Sequence, residues 1–205
     1  MNASLEHDIQ QVVEGLIAGE PAIFPTDTVY GIGVAVGCAQ DPEVLYDIKE
    51  RDHGKPIAWL VGGVDDLPIY GKDVPDYVYA LARAFWPGAL TFIVKAAETV
   101  PATFRSPEST IALRMPDNET ALGLIAQVGR PLATTSANIS GQAPPKLFDE
   151  LDHRLLEKVP LTLRDDSEKS GVASTVIDCT GKSPLVVRQG GISMEQIQSL
   201  IEASC

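Results

Sequence analysis

Phe24-Pro25-Thr26-Asp27-Thr28-Val29-Tyr30-Gly31-Ile32-Gly33 decides how this chain is read. Ala22-Ile23-Phe24 is a short apolar strand, and Pro25 ends its hydrogen-bonding ladder because it lacks an amide proton. Two threonines, an aspartate and a tyrosine follow, and the chain then re-enters an apolar stretch, Ile32 to Val36. So polar a segment between two buried ones needs partners. Its hydroxyls, carboxylate and amides therefore converge at a strand end, where α/β proteins place small ligands. A plain turn capped by hydroxyls is the competing reading.

The rest of the chain supplies an α/β frame for this segment. Leu5, Ile9, Val12, Val13, Leu16 and Ile17 recur at helical spacing, closed by Gly19. Asp41-Pro42 opens a helix that is expected to end near Arg51. Ile57 to Val61 reads as a strand, and Pro75 to Phe85 as a helix broken by Trp86-Pro87-Gly88. Strands are expected at Ala89 to Lys95, Thr110 to Arg114 and Pro131 to Thr134, with a helix capped by Asp117 running through Val128. The last third reads as strands Thr175 to Asp178 and Leu185 to Arg188, then a helix from Ser193. Helices and strands intermix without strict alternation, which points to a mixed twisted sheet rather than a doubly wound parallel one. No repeat or interdomain linker interrupts the pattern, so residues 1–205 are expected to form one domain.

Composition narrows the function classes. With 44% hydrophobic residues the chain can bury a substantial core, and its formal net charge of −12 disfavours a broad nucleic-acid surface. A local basic cleft is compatible with that charge. The N-terminus shows no signal-peptide pattern, and no apolar run nears the roughly 20 residues of a membrane helix. Cys38, Cys179 and Cys205 are distant and odd in number, which fits a reducing compartment, and a cytoplasmic location is expected.

Common catalytic motifs are missing. Gly181-Lys182-Ser183 lacks the upstream glycine of a phosphate-binding loop, and Val36 stands where a dinucleotide fingerprint needs a third glycine. His7, His53 and His153 are remote from each other and from the cysteines, so neither a zinc site nor a histidine-activated nucleophile is indicated. What remains are cations and hydroxyls at element ends. Lys49-Glu50-Arg51 closes a helix, Arg114 and Arg188 end strands, and Thr134-Thr135-Ser136-Ala137-Asn138-Ile139-Ser140-Gly141 aligns hydroxyls and an amide in one loop. Helix-end cations also complement the helix dipole, and Asn/Ser loops also form tight turns. Together, in so acidic a chain, they describe a cleft for a small polyanion such as a nucleotide.

These segments resemble the YrdC-like family of threonylcarbamoyl-AMP synthases over nearly the whole chain. The resemblance rests on Phe24 to Gly31, the Lys49-x-Arg51 pair, Lys55-Pro56, Trp86-Pro-Gly-x-Leu-Thr91 and Ile111-Ala-Leu-Arg-Met-Pro116. Thr135-Ser-Ala-Asn-Ile-Ser-Gly141, Ser174-Thr-Val-Ile-Asp178 and Val187-Arg188-x-Gly190 complete it. It implies the YrdC-like, dsRNA-binding-protein-like α/β fold: a twisted mixed β-sheet with flanking helices around a large basic cavity. It also implies a nucleotidyl transfer in which L-threonine, bicarbonate and ATP give threonylcarbamoyl-AMP and pyrophosphate. The product feeds a separate tRNA-modifying transferase, with at most weak tRNA contact by the synthase itself. By the same resemblance Lys49, Arg51, Ser136, Asn138 and Arg188 hold the ATP, with Lys49 and Arg51 catalytic. Arg114 and Ser174 take the threonine carboxylate, Thr28 and Tyr30 frame its side chain and amine, and Mg²⁺ accompanies ATP without a protein cage.

The chain departs from the family pattern in two places. Many members carry a histidine on the strand written here Ile57-Ala58-Trp59-Leu60-Val61, and many have a proline where Asp52 stands. Three other readings stay open. These are a carbamoyl-adenylate-forming module of carbamoyltransferase maturation factors, a non-catalytic RNA-binding protein, and a paralogue that has lost synthase activity.

Overall fold

The computed structural model describes residues 3–50, 57–165 and 167–203. Among them, nine strands join in one mixed sheet. In chain order they are β1 (Ala22–Phe24), β2 (Gly31–Ala35), β3 (Ala58–Leu60), β4 (Gly71–Lys72), β5 (Leu90–Ala96), β6 (Thr110–Arg114), β7 (Leu132–Ser136), β8 (Thr175–Asp178) and β9 (Leu185–Arg188). The order across the sheet is β1-β2-β7-β3-β6-β5-β8-β9, with β4 paired to β5 beyond the end of β8. The β3–β6 and β5–β8 pairs are parallel and the others antiparallel, which is the mixed sheet that the irregular alternation predicts.

Register sorts the two faces. Val34, Ala133, Trp59, Leu113, Phe92 and Ile177 stand side by side across six strands, and all are buried in the larger of two apolar cores. Trp59 anchors that row, with its ring edge-on to Tyr70 at 5.6 Å and Phe104 at 6.0 Å. Helices α2 (Glu43–Lys49), α4 (Asp76–Phe85) and α7 (Met194–Ala203) contribute Leu45, Ile48, Val78, Leu81 and Ile197 to the same core. On the other face, α1 (Ala3–Ile17) and α5 (Glu119–Val128) cover only one end, through Val12, Leu16, Leu124 and Ile125 against Phe24, Ala35, Leu60 and Leu132. The rest of that face carries small residues: Gly33 opposite Thr134, Ala58 opposite both Thr134 and Ala112. Small side chains at facing positions leave a hollow above the sheet instead of a packed layer.

Three details differ from expectation. Helix α2 ends at Lys49, because Glu50 turns into the left-handed region at φ 52°. The cap of α5 is Asn118, whose Oδ1 accepts from the Ala121 amide at 2.9 Å, and not its neighbour Asp117. The one-turn helix α3 (Leu67–Tyr70), strand β4 and helix α6 (His153–Lys158) were not anticipated. Asp41 behaves as expected, its Oδ1 accepting from the Glu43 amide at 2.9 Å. No helix among the described residues is long and apolar enough to cross a membrane.

Candidate active site

Above the small residues lies a cavity of about 370 Å³. Its walls include Thr28, Tyr30, Lys49, Arg114, Ser136, Asn138, Ser174 and Arg188. Every described residue marked from the sequence therefore meets there, and Arg51 lies outside the described residues. Lys49, Arg114 and Arg188 are the charged groups on its walls among the described residues, so the cavity is basic within an acidic protein. A second hollow of about 910 Å³ is lined by Trp59, Ile93 and Ala112 among others, with Lys95, Arg105 and Asp178 on its walls.

The opening motif is both a turn and a wall of the cavity. Thr26 builds the turn: its Oγ1 donates to Val29 O at 2.7 Å and accepts the amides of Thr28 and Val29 at 3.3 Å. Thr28 lines the cavity as Thr26 does, and there its Oγ1 accepts from an Arg114 guanidinium nitrogen at 3.1 Å. The capped-turn reading thus holds for Thr26, while Thr28 lines the cavity and bonds Arg114.

Arg114 ends β6 and is held on all three nitrogens. Its Nε donates to Gly88 O at 3.0 Å, and its other terminal nitrogen pairs with Asp27 Oδ1 at 2.5 Å. Burial pulls the Arg114 pKa down and Asp27 opposes that pull. Arg188, at the end of β9, is likewise lowered by burial and then by the nearby positive charge of Arg114. Two guanidinium groups that repel each other, with one carboxylate paired to Arg114, create a field that an anionic ligand relieves. Arg188 donates twice to Ser174 O, at 3.1 and 2.9 Å, and once to Ser174 Oγ at 3.1 Å. Ser174 Oγ in turn lies 2.8 Å from Thr91 Oγ1. Gly190 makes this possible, because a Cβ there would meet Ala173 O at 2.1 Å.

The other wall is the loop after β7. Ser136 Oγ donates to Asn138 Oδ1 at 2.5 Å, and Asn138 Nδ2 donates to Ile139 O and Gln142 O at 3.0 and 2.8 Å. Lys49 is almost fully buried, and its Nζ donates to Ser136 O, to Asn138 O at 2.7 Å and to Asn138 Oδ1 at 3.2 Å. The lysine read from sequence as a phosphate ligand is thus also the cation that ties α2 to this loop. The strand that carries a histidine in many similar proteins presents Leu60 to the cavity, while Trp59 sits in the opposite core.

Sequence reasoning missed Thr91, Asp27 as the partner of Arg114, and Lys169 behind Tyr30. Thr91 carried a signal, a lone hydroxyl in the apolar strand Leu90-Thr-Phe-Ile-Val. Asp27 stood in the motif, but its pairing spans 87 residues. No group of three or more His, Cys, Asp or Glu side chains able to hold a metal ion occurs among the described residues.

Comparison with known proteins identifies the relatives of this chain. A family model described as telomere recombination, built on the Sua5, YciO and YrdC proteins, matches residues 14–190. The threonylcarbamoyl-AMP synthase of Pyrococcus abyssi is 34% identical over 183 residues, covering 89% of this chain and 54% of that protein. The chain therefore spans about half the length of that relative. The structure of P. abyssi Sua5 complexed with L-threonine superposes with a TM-score of 0.84 at 34% identity, over 94% of this chain and 57% of the other. E. coli YciO gives a TM-score of 0.84 at 26% identity, over 94% of this chain and 93% of YciO. By motif order, fold and the match over most of its length, the chain belongs to the Sua5/YciO/YrdC family.

Proposed function

We propose that the protein is a threonylcarbamoyl-AMP synthase, a nucleotidyltransferase that converts L-threonine, bicarbonate and ATP to L-threonylcarbamoyladenylate, pyrophosphate and water. The observation that carries this reading is the division of one basic cavity into two walls. Arg114, Thr28 and Ser174 form a set suited to an α-carboxylate, and Lys49 and Arg188 with the Ser136–Asn138 loop form a set suited to phosphate oxygens.

The chemistry needs no nucleophile from the protein. The unprotonated threonine amine combines with bicarbonate to give a carbamate and water. A carbamate oxygen then bonds to the α-phosphorus of ATP while the bond to the pyrophosphate oxygen breaks. The protein's part is to orient both substrates and to stabilise the charge that spreads over the phosphate oxygens. Arg114 and Ser174 hold the carboxylate, Thr28 and Tyr30 frame the side chain and amine, and Lys49, Ser136, Asn138 and Arg188 face the nucleotide. Arg51 belongs to the same nucleotide set by its place in the motif. ATP enters with Mg²⁺ held by its phosphate oxygens, in keeping with cavity walls that offer hydroxyls and cations. The single-domain organisation, a cytoplasmic location and delivery of the adenylate to a tRNA-modifying transferase belong to the same proposal.

Isotope transfer tests it. Incubation with ¹³C-bicarbonate, ATP and L-threonine is expected to place the label in a nucleotide product seen by mass spectrometry. A label that appears without threonine, or none with all three present, contradicts the reading.

A further inference from the structure

Lys169 is a lysine whose side chain is completely enclosed, on a loop, outside every motif read from the sequence. An enclosed ammonium is costly unless partners replace its water, as the partners named below do. Its Nζ donates to Ser167 O at 2.9 Å and to Asp165 O at 3.1 Å, and lies 3.7 Å from Asp165 Oδ2. It also sits 4.7 Å from the centroid of the Tyr30 ring. The same Asp165 clamps the other end of Tyr30. The phenol donates to Asp165 O at 2.7 Å and accepts from the Asp165 amide at 2.8 Å. Phe148 closes the remaining side, edge-on at 6.3 Å.

The loop that carries Lys169 is also stitched to the opening motif. The Ser170 amide donates to Asp27 O at 3.0 Å and the Gly171 amide to Thr28 O at 2.8 Å. Gly171 adopts φ +69°, and a Cβ there would meet Lys146 Cδ at 2.2 Å, so the chain turns at glycine and then enters the cavity wall at Ala173 and Ser174. One buried cation thus sits where Tyr30, the backbone of Thr28 and the approach to Ser174 are fastened together.

We propose that Lys169 is a positioning residue for the amino-acid half of the site. It fixes the Tyr30 ring, and through its loop the Thr28 and Ser174 hydroxyls, so that threonine meets a preformed wall and not a loop to be ordered on binding. This rests on the synthase reading above. Lys169 touches neither substrate in that reading; its own side-chain contacts are Asp165, Ser167 and the Tyr30 ring, and Lys49, Ser136 and Asn138 are not among them.

The test is steady-state kinetics of Lys169→Met, a change that keeps length and removes the charge. The KM for threonine is expected to rise about tenfold while the KM for ATP stays within about twofold. Threonine binding followed by calorimetry should weaken in step. In a double-variant cycle, Tyr30→Phe and Lys169→Met should be non-additive, because both act through one ring. Equal losses for both substrates, or full additivity, would reduce Lys169 to a general stabiliser and overturn the proposal. Should Lys169→Met not fold, Asp165→Asn weakens the same lock from the other side and is expected to give a smaller, still threonine-selective rise. An active wild type with an unaltered threonine KM in these variants defeats this inference alone. A wild type that neither binds threonine nor releases pyrophosphate defeats the synthase reading, and this inference with it.

Discussion

The Nζ of Lys49 lies 2.7 Å from the carbonyl oxygen of Asn138 and binds the last residue of helix α2 to the loop that follows β7. The lysine and the asparagine of two separate motifs, 89 residues apart, thereby form one structural unit. A cation bound to carbonyl oxygens keeps its charge, so the loop presents positive potential to the cavity while being held rigid by it.

Lys49→Met should therefore cost both activity and stability. Loss of a buried phosphate-facing cation removes on the order of 3 kcal/mol of transition-state stabilisation, about two orders of magnitude in rate. Leaving Ser136 O and Asn138 O without their donor adds about 1–3 kcal/mol of destabilisation. Turnover and chemical denaturation measure the two effects. A variant with wild-type stability and no activity would show that the ammonium serves the phosphates alone.

On the proposed reading, Arg114→Ala should raise the KM for threonine far more than that for ATP, because its guanidinium sits with Thr28 on the wall assigned to the carboxylate. The change also strands Asp27, and breaking such a pair costs about 3–5 kcal/mol. Asp27→Asn combined with Arg114→Ala should recover part of that stability and none of the threonine affinity. Equal rises in both KM values contradict the carboxylate role.

Much of this was legible in the sequence. Thr110–Arg114, Thr175–Asp178 and Leu185–Arg188 occur where expected, because short runs rich in apolar and β-branched residues end at polar or glycine positions. The segment from Phe24 to Gly33 was legible as a cavity wall because its polarity could not be buried unpartnered. The one-turn helix Leu67–Tyr70 and the strand Gly71–Lys72 are shorter than any period that reveals them. Asn118 and Asp117 are both good caps, and only the backbone decides between them. The Asp27–Arg114 pair and the place of Lys169 under Tyr30 are tertiary facts, and neither spacing nor composition encodes them.

Acid should loosen the loop that backs Tyr30. Burial raises the Asp165 carboxyl pKa, but the Ser167 hydroxyl and amide, with Lys169, outweigh it and hold the group below its usual range. A depressed folded-state pKa contributes stability above the unfolded value of about 3.9, and that contribution is lost as pH falls through the folded value. Asp165→Asn is expected to flatten the loss of thermal stability below about pH 4 relative to wild type. Parallel curves would show that the carboxylate is not coupled to folding.

Cys179 should be inert in the folded protein. Burial pushes its thiol up to about 12; a hydrogen bond with Tyr77 opposes that rise, and the negative charge of Asp178 adds a smaller increment. At pH 8 the reactive thiolate is then about one part in ten thousand. Iodoacetamide followed by peptide mass spectrometry should find Cys179 unmodified in native protein and modified after denaturation. Labelling of the native state contradicts the buried assignment.

Pyrophosphate release from ATP by the purified protein, measured with and without L-threonine and bicarbonate, tests the synthase reading most directly. Release that requires both co-substrates is the predicted result. Release from ATP alone, or none with all three present while nucleotide still binds, would contradict it.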